Sequence, residues 1–253
     1  MGIYALTGGA TGIGAAIKQQ LLAAGHTLIS IDIKDADIIA DLSTADGRQQ
    51  AIKAVRLSAT DGLDGLITCA GLGANVNNGA LIASVNYFGT VELVSQLAEL
   101  LARRQGSVVL ISSNSAPMAT EDGLIKQLLA GEEDNARNTA SALSGQASYS
   151  SSKQAVARWM RHHTRDFAAK GIRLNAIAPG YTQTPMTAAV ENDPLYRDAI
   201  RQFVAGIPIG RPGLPDDIAN AVLFLLSPAA SFICGSVLFV DGGHDASLRP
   251  DQF

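Results

Sequence analysis

Short apolar runs alternate along the chain with segments of helical periodicity. The apolar runs predict strands at Ile3–Leu6, Thr27–Ile33, Ile38–Ala40, Gly65–Cys69, Ser107–Ile111, Arg173–Ile177 and Ser236–Val240. The periodic segments predict helices at Gly14–Ala24, Ala45–Leu57, Val85–Arg104, Glu121–Ala130, Ser150–Ala169 and Asp216–Leu226. Strands that are apolar throughout are buried on both faces. The pattern therefore predicts an α/β fold, a doubly wound Rossmann-type sheet of seven mainly parallel strands with helices on both faces.

One segment departs from this alternation. Residues 114–148 separate the fifth strand from Tyr149, and a helix-like piece there is followed by the polar run Gly131–Thr139. A long irregular connection in a compact domain is usually functional or mobile. We find no internal repeat and no low-complexity linker, so the sequence predicts a single domain over residues 1–253 with an insertion within 114–148.

Composition narrows the class of protein. The chain has 253 residues, of which 47% are hydrophobic and 17% charged, so it can bury a large core. A net charge of −4 excludes the basic surface typical of nucleic-acid or anionic-membrane binding. The longest apolar stretches, such as Ile218–Leu226, are too short to span a membrane, and no signal peptide is visible. We expect a cytoplasmic protein without nucleic-acid or membrane partners.

The cysteines and histidines give no metal signature. Cys69 and Cys234 are far apart, and the four histidines show no ligand spacing. We therefore predict two buried, reduced thiols and no metal site.

A glycine-rich turn follows the first strand, and its sequence is TGGATGIG over Thr7–Gly14. Glycines let the backbone approach a pyrophosphate, and the N–H groups at the start of the next helix point at the phosphates. A tight structural turn is the alternative. The second strand ends at Asp32, where a carboxylate can accept hydrogen bonds from the adenosine ribose and repel a 2′-phosphate. This favours NAD(H) as cofactor, although Asp32 could also be an ordinary turn residue.

Other strand ends add candidate cofactor contacts, because ligands of open α/β sheets bind at the carboxyl ends of the strands. Asp41 and Leu42 close the third strand and can meet the adenine, and Cys69, Ala70 and Gly71 end the fourth.

Tyr149 and Lys153 form the most specific chemical signal. They are four residues apart on a predicted helix and share one face. A nearby ammonium favours the phenolate, so the tyrosine can exchange a proton with an alcohol or carbonyl. A solvent-exposed helix face is the alternative, but the preceding strand ends in Ser112 and Ser113, whose hydroxyls can hold a substrate oxygen. We favour Ser113, although alternation along a strand alone does not decide which serine faces the site.

These motifs together resemble the short-chain dehydrogenase/reductase family along nearly the whole chain. TGGATGIG matches its TGxxxGxG, Tyr149 and Lys153 its YxxxK, and Val240–Gly243 its closing VDGG. Pro179 and Gly180 with Thr184 match PGxxxT, whereas Thr68 and Cys69 replace two asparagines of its NNAG.

The resemblance implies residue roles. Tyr149 would be the acid/base, Lys153 would tune its pKa and bind ribose, Ser113 would orient the substrate, Asn86 would support a water relay, and Thr184 would hold the nicotinamide carboxamide. The implied cofactor-binding residues are Gly8, Thr11, Gly12, Ile13, Gly14, Asp32, Ile33, Asp41, Leu42, Cys69, Ala70, Gly71, Tyr149, Lys153, Pro179, Gly180, Thr182 and Thr184.

The long insertion resembles that of the bacterial 3α-hydroxysteroid dehydrogenase/carbonyl reductases, which implies a small apolar alcohol or carbonyl substrate, in particular a 3α-hydroxysteroid. A lid around 182–206 offers Met186, Val190, Leu195, Tyr196 and Phe203. We expect Ser113, Tyr149 and Met186 to contact substrate, although each apolar lid residue could instead be core.

We also expect a homodimer. The family usually pairs through the long helices that carry Asn86 and Tyr149, and the insertion would cover that surface, leaving Asp216–Leu226 and Ser236–Val240 for the contact. Alternative functions are a 3-oxoacyl thioester reductase, a sugar-alcohol dehydrogenase, or a non-catalytic NAD-sensing protein on the same fold.

Overall fold

The computed structural model describes residues 1–118, 120–191 and 197–252. Within these ranges, seven strands form one sheet: β1 Ile3–Thr7, β2 Thr27–Asp32, β3 Ile38–Ile39, β4 Gly65–Thr68, β5 Ser107–Ile111, β6 Arg173–Pro179 and β7 Val237–Val240. Their order is β3-β2-β1-β4-β5-β6-β7, and each neighbouring pair is parallel. The predicted doubly wound α/β sheet is confirmed.

Helices cover both faces of this sheet. They are α1 Gly12–Ala23, α2 Ala45–Ser58, α3 Gly79–Ala83, α4 Gly89–Gln96, α5 Ala98–Arg103, α6 Asp122–Leu129, α7 Glu133–Ser141, α8 Gly145–Ala168, α9 Pro185–Glu191, α10 Arg197–Ala205, α11 Pro215–Leu226 and α12 His244–Leu248. Successive strand residues join opposite apolar clusters: Leu66 packs with the cluster that includes α8, and Ile67 packs with the cluster that includes α11. This alternation follows from the pleat and gives the sheet a core on each face.

The long helix predicted over Val85–Arg104 is wrong in its bounds and its continuity. The helical stretch begins at Gly79, because the Asn78 side chain caps the N–H of Leu81 at 3.0 Å. A π-helical turn spans Ser84–Phe88, and a further break at Leu97 separates α4 from α5. Single π turns inside helices are frequent at functional sites, and this one carries Asn86.

The insertion also differs from its prediction. The polar run Gly131–Thr139 was expected to be irregular, but most of it lies in α7, because Ala136 and Ala140 are fully buried there. Helix α8 begins five residues before the predicted Ser150, since the Ser144 hydroxyl caps the N–H of Ala147 at 3.1 Å. The insertion is therefore a helical pair, α6 and α7, packed on the domain.

Helices α9 and α10 lie in the predicted lid segment around 182–206. Leu195 and Tyr196, two of the predicted lid residues, lie outside the described residues, as does the side chain of Val190. No helix in the described ranges is long and apolar enough to cross a membrane. The cytoplasmic location stays a prediction.

Candidate active site

A cavity of about 740 Å³ runs along the carboxyl ends of the strands, over the point where β1 and β4 separate the two halves of the sheet. Ligands of doubly wound sheets bind at this switch point. The predicted site residues that line it are Gly8, Thr11, Gly12, Ile13, Gly14, Asp32, Ile33, Asp41, Leu42, Cys69, Ala70, Gly71, Ser113, Tyr149, Lys153, Pro179, Gly180, Thr182, Thr184 and Met186. Asn86 is not among the lining residues.

The glycine-rich turn is shaped for a close approach to the start of α1. Gly8 has a φ of +76°, and a Cβ at Gly14 would lie 1.9 Å from the Gly8 carbonyl oxygen. A side chain at either position would therefore force the turn open. The Thr11 side chain makes no capping hydrogen bond to α1. The first N–H groups of α1 thus remain available to a pyrophosphate, and the chain fits a dinucleotide at this place.

Asp32 stands at the end of β2 against this turn. Its carboxylate accepts from the N–H of Ala10 at 3.0 Å and from the N–H of Ile33 at 2.7 Å. These contacts fix the carboxylate at the cavity wall, where it would face a ribose. The geometry fits an adenosine ribose at this place.

The structure distinguishes the two serines that follow β5. Ser112 donates to the backbone oxygen of Lys153 at 2.8 Å, so its hydroxyl braces α8. Both serines line the cavity, but it is the Ser113 side chain that acts on Tyr149, whose pKa it lowers. The Ser113 hydroxyl is therefore the one that can meet a substrate oxygen beside Tyr149.

Tyr149 and Lys153 both face this end of the cavity. Burial raises the pKa of Tyr149, and the hydrogen bond from Ser113 acts against that rise. Burial lowers the pKa of Lys153 to about 8, and its Nζ donates to the Ile111 carbonyl at 2.8 Å. The ammonium lies 5.9 Å from the centre of the Tyr149 ring. Desolvation is the largest effect, so the pKa of Tyr149 in the protein alone is raised, whereas the sequence predicts that a neighbouring ammonium lowers it.

Asn86 is fully buried and engaged by protein groups. Its Oδ1 accepts from the N–H of Leu72 at 2.8 Å, and its Nδ2 donates to the Leu72 carbonyl at 3.1 Å and to Ser152 at 3.2 Å. Ser152 in turn donates to the Tyr149 carbonyl at 2.7 Å. The side chain thus ties the loop after β4 to the turn that carries Tyr149, and the water relay stays a prediction.

Thr68 and Cys69 replace the two asparagines of the NNAG pattern, so the hydrogen bonds at the end of β4 differ from those that the pattern implies. The buried Thr68 hydroxyl has no hydrogen-bond partner, and the Thr7 hydroxyl instead accepts from the N–H of Ala70 at 3.1 Å. Burial raises the pKa of the Cys69 thiol to about 12, so it is a neutral wall of the cavity. Among the described residues, no group of three or more candidate ligands could hold a metal ion.

Several lining residues escaped the sequence reasoning. Ser115 lies 2.9 Å from the Ser113 hydroxyl, and Asn114 contacts His244 at 3.4 Å. Both residues lie just after β5, and the third serine of the sequence Ser-Ser-Asn-Ser could have indicated a further hydroxyl at the site. Met118, Ile200 and other apolar side chains line the cavity together with Met186 and Phe203.

Comparison with known proteins agrees with this geometry. A family model described as short chain dehydrogenase matches residues 3–124, and one described as enoyl-(acyl carrier protein) reductase matches residues 135–245. The chain is 43% identical to 3-alpha-hydroxysteroid dehydrogenase/carbonyl reductase of Comamonas testosteroni over the full length of both. It is 34% identical to cis-4-hydroxycyclohexanecarboxylate dehydrogenase of Sinomonas cyclohexanicum over 96% of both.

A solved structure is also similar. The 3-alpha-hydroxysteroid dehydrogenase from Pseudomonas sp. B-0831, complexed with NADH, superimposes with a TM-score of 0.93 at 44% identity, covering 99% of this chain and 100% of that one. Full-length identity above 40% agrees with the presence of Ser113, Tyr149 and Lys153 at the cavity. The chain belongs to the short-chain dehydrogenase/reductase family.

Proposed function

We propose that the protein is an NAD(H)-dependent dehydrogenase that interconverts a secondary alcohol and a ketone, with 3α-hydroxysteroids and 3-oxosteroids as its substrate class. The observation that carries the proposal is the convergence of Ser113, Tyr149 and Lys153 at one end of a cavity whose other end holds Asp32. Hydride chemistry needs an acid/base beside the reacting oxygen and a nicotinamide site next to it. The family membership and the two hydroxysteroid dehydrogenase relatives support the same reaction.

The protein's groups account for the proton in this reaction. When bound, NAD⁺ supplies the acceptor for the hydride that leaves the carbinol carbon. The Tyr149 phenolate takes the proton of the alcohol hydroxyl while the carbon–oxygen double bond forms. Ser113 would donate a hydrogen bond to the same oxygen, and the Lys153 ammonium would favour the phenolate form of Tyr149. Reduction of a ketone runs through the same steps in reverse.

The choice of NAD(H) over NADP(H) is assigned to Asp32. Its carboxylate would accept from the ribose hydroxyls and repel a 2′-phosphate. Asp32→Ala should therefore raise the Kd for NADH about tenfold and lower the ratio of NADPH Kd to NADH Kd about tenfold, as the loss of a charged hydrogen bond implies. Calorimetric titration with both cofactors measures this, and an unchanged preference would remove the role from Asp32.

The steroid substrate class is supported by the walls of the cavity. Met118, Met186, Ile200 and Phe203 give the substrate end apolar surface, which suits a ligand with one polar group and a large hydrocarbon body. The names of two relatives specify a hydroxysteroid and a hydroxycyclohexanecarboxylate, both of which carry a hydroxyl on a saturated carbon ring.

The decisive assay follows NADH absorbance with NAD⁺ and androsterone, its 3β-epimer and a simple secondary alcohol, with Tyr149→Phe as the inactive control. We expect turnover of androsterone and none of the epimer. Turnover of the simple alcohol alone would keep the reaction and reject the steroid class. No turnover, combined with tight NADH binding, would favour a non-catalytic NAD-binding protein.

We further propose a homodimer formed by α11 and β7. Leu124, Ile125 and Leu128 of α6 are fully buried, so the insertion occupies the face of α8 on which it packs. Phe224, Phe232 and Leu238 are exposed on the α11 and β7 side of the domain. Exposed apolar surface of this kind is typical of protein–protein contacts.

A further inference from the structure

A buried cation links the insertion to the cofactor cavity. Arg48 lies in the first turn of α2, and only 3% of its side chain is exposed. Its guanidinium forms a two-pronged ion pair with Glu133 of α7, with contacts of 2.5 and 3.2 Å, and a second ion pair with Glu92 of α4. Since a buried charge is costly unless it is paired, these carboxylates are needed to keep Arg48 in place.

Arg48 also holds the backbone at the edge of the cavity. Its Nη1 donates to the Leu42 carbonyl at 3.4 Å, and Leu42 and Asp41 line the cavity. The packing there is tight: a Cβ at Gly47 would lie 2.0 Å from the Asp41 carbonyl oxygen, and one at Gly89 would lie 3.2 Å from the Leu42 Cβ. A shift of the Arg48 head group would therefore move the segment against which an adenine would rest.

Glu133 connects this edge to the turn that carries Asn86. The Ser84 hydroxyl donates to Glu133 Oε1 at 3.1 Å and accepts from Arg137 of the same helix. Ser84 is fully buried and begins the π-helical turn. One carboxylate of the insertion is thus hydrogen-bonded to two residues that lie behind the cavity, Arg48 on α2 and Ser84 on the π turn.

We propose that Glu133 and Arg48 are positioning residues for the adenosine half of the cofactor, so that the insertion serves cofactor affinity in addition to covering α8. This inference rests on the proposed NAD(H) site. Neither residue lines the cavity, so both act through Leu42 and Asp41. The substrate end, formed by Ser113 and Tyr149, has no hydrogen bond to either residue.

The test is a calorimetric titration with ADP-ribose, which carries the adenosine half and lacks the nicotinamide. Glu133→Gln should raise the Kd for ADP-ribose and for NADH about tenfold, while kcat at saturating NAD⁺ stays within about twofold of wild type. Glu132→Gln is the matched control, because the neighbouring carboxylate makes its side-chain contact with Asn135 on the surface. Arg48→Lys keeps the charge but loses the two-pronged contact, and should show the same loss.

The outcomes separate the inference from the function on which it rests. Unchanged ADP-ribose affinity in both variants overturns the inference, and so does an equal fall in kcat, which would indicate general loosening. If Glu133→Gln does not fold, Arg48→Lys decides on the same criteria. Wild-type protein that binds neither ADP-ribose nor NADH would instead overturn the proposed cofactor site.

Discussion

At the scale of single residues, the position of the Ser113 hydroxyl depends on Ser115, two residues further along the chain. The backbone N–H of Ser115 donates to the Ser113 oxygen at 3.2 Å, and the two hydroxyls lie 2.9 Å apart, so that either can donate to the other. When the Ser115 hydroxyl is the donor, the Ser113 proton can point at Tyr149 or at a substrate oxygen.

Removing the Ser115 hydroxyl should therefore slow the chemistry. We expect Ser115→Ala to lower kcat about fivefold, the value of one hydrogen bond near 1 kcal/mol, and to leave the Kd for NADH unchanged. Steady-state kinetics and a binding titration measure the two quantities. Ser58→Ala is the control, because that hydroxyl bonds its own helix on the surface. A rise in KM with constant kcat would contradict the assignment.

The lowered pKa of Lys153 should be visible in stability. Between about 8 and the ordinary value of 10.5, the unfolded chain binds one more proton at this position than the folded protein does. The free energy of unfolding should therefore rise with pH in this window, by at most about 1.4 kcal/mol per unit. Urea unfolding near pH 8, 9 and 10 should show wild type gaining stability relative to Lys153→Met. A difference that does not vary with pH would mean that Lys153 titrates normally.

Prediction from the sequence succeeded for residues that belong to a spaced motif. It did not succeed where the role of a residue depends on its three-dimensional contacts. The spacing of Tyr149 and Lys153 placed both on one helix face, and both line the cavity. The alternation of side chains along β5 does not show whether Ser112 or Ser113 faces the substrate. This depends on which of the two hydroxyls donates a hydrogen bond to the Lys153 carbonyl. The sequence also does not show that burial outweighs the effect of Ser113 and raises the pKa of Tyr149, since burial is a property of the whole site.

At the scale of elements, the lid helix α9 lies against the loop after β4. A Cβ at Gly73 would lie 2.8 Å from the Sδ of Met186, so the missing side chain leaves room for this contact. Met186 is 44% exposed and lines the cavity. The contact would bring an apolar side chain over a bound substrate.

Shortening Met186 should then affect large apolar substrates most. Met186→Ala should raise KM for the steroid about tenfold, as expected for losing 1–2 kcal/mol of buried side chain, with little change for a small secondary alcohol. Comparing KM for the two substrates gives the result directly. Equal changes for both, or a fall in kcat alone, would indicate that Met186 acts on the reaction rather than on the substrate body.

Sequence periodicity predicted elements well where each helix packs by one regular stripe. It failed at the helices around Asn86 and in the insertion. The π turn exists because the buried Asn86 amide must reach both Leu72 and Ser152, which is a tertiary demand. Helix α7 looks polar because its charged Glu133 faces Arg48, and the small Ala136 and Ala140 give little apolar signal although both are buried.

At the scale of the whole molecule, the insertion determines which surface remains for association. Its helices pack on α3 and α8, and its Glu133 forms an ion pair with Arg48 of α2, which in turn pairs with Glu92 of α4. The opposite end of the sheet ends in β7, whose outer edge has no neighbouring strand within the described sheet. An open strand edge flanked by apolar side chains is a surface that proteins normally cover, and in the proposed homodimer a second copy of the chain would cover it symmetrically.

A charge placed in this surface should separate the copies. Leu238→Glu should halve the molar mass measured by light scattering, because association would bury an unpaired carboxylate in an apolar contact. Leu57→Glu introduces the same charge on exposed α2 and should leave the mass unchanged. The monomer should still bind NADH, since the cavity residues belong to one chain. A wild-type tetramer, or a dimer that survives Leu238→Glu, would move the interface to another face, and the covering role of the insertion would then need a different explanation.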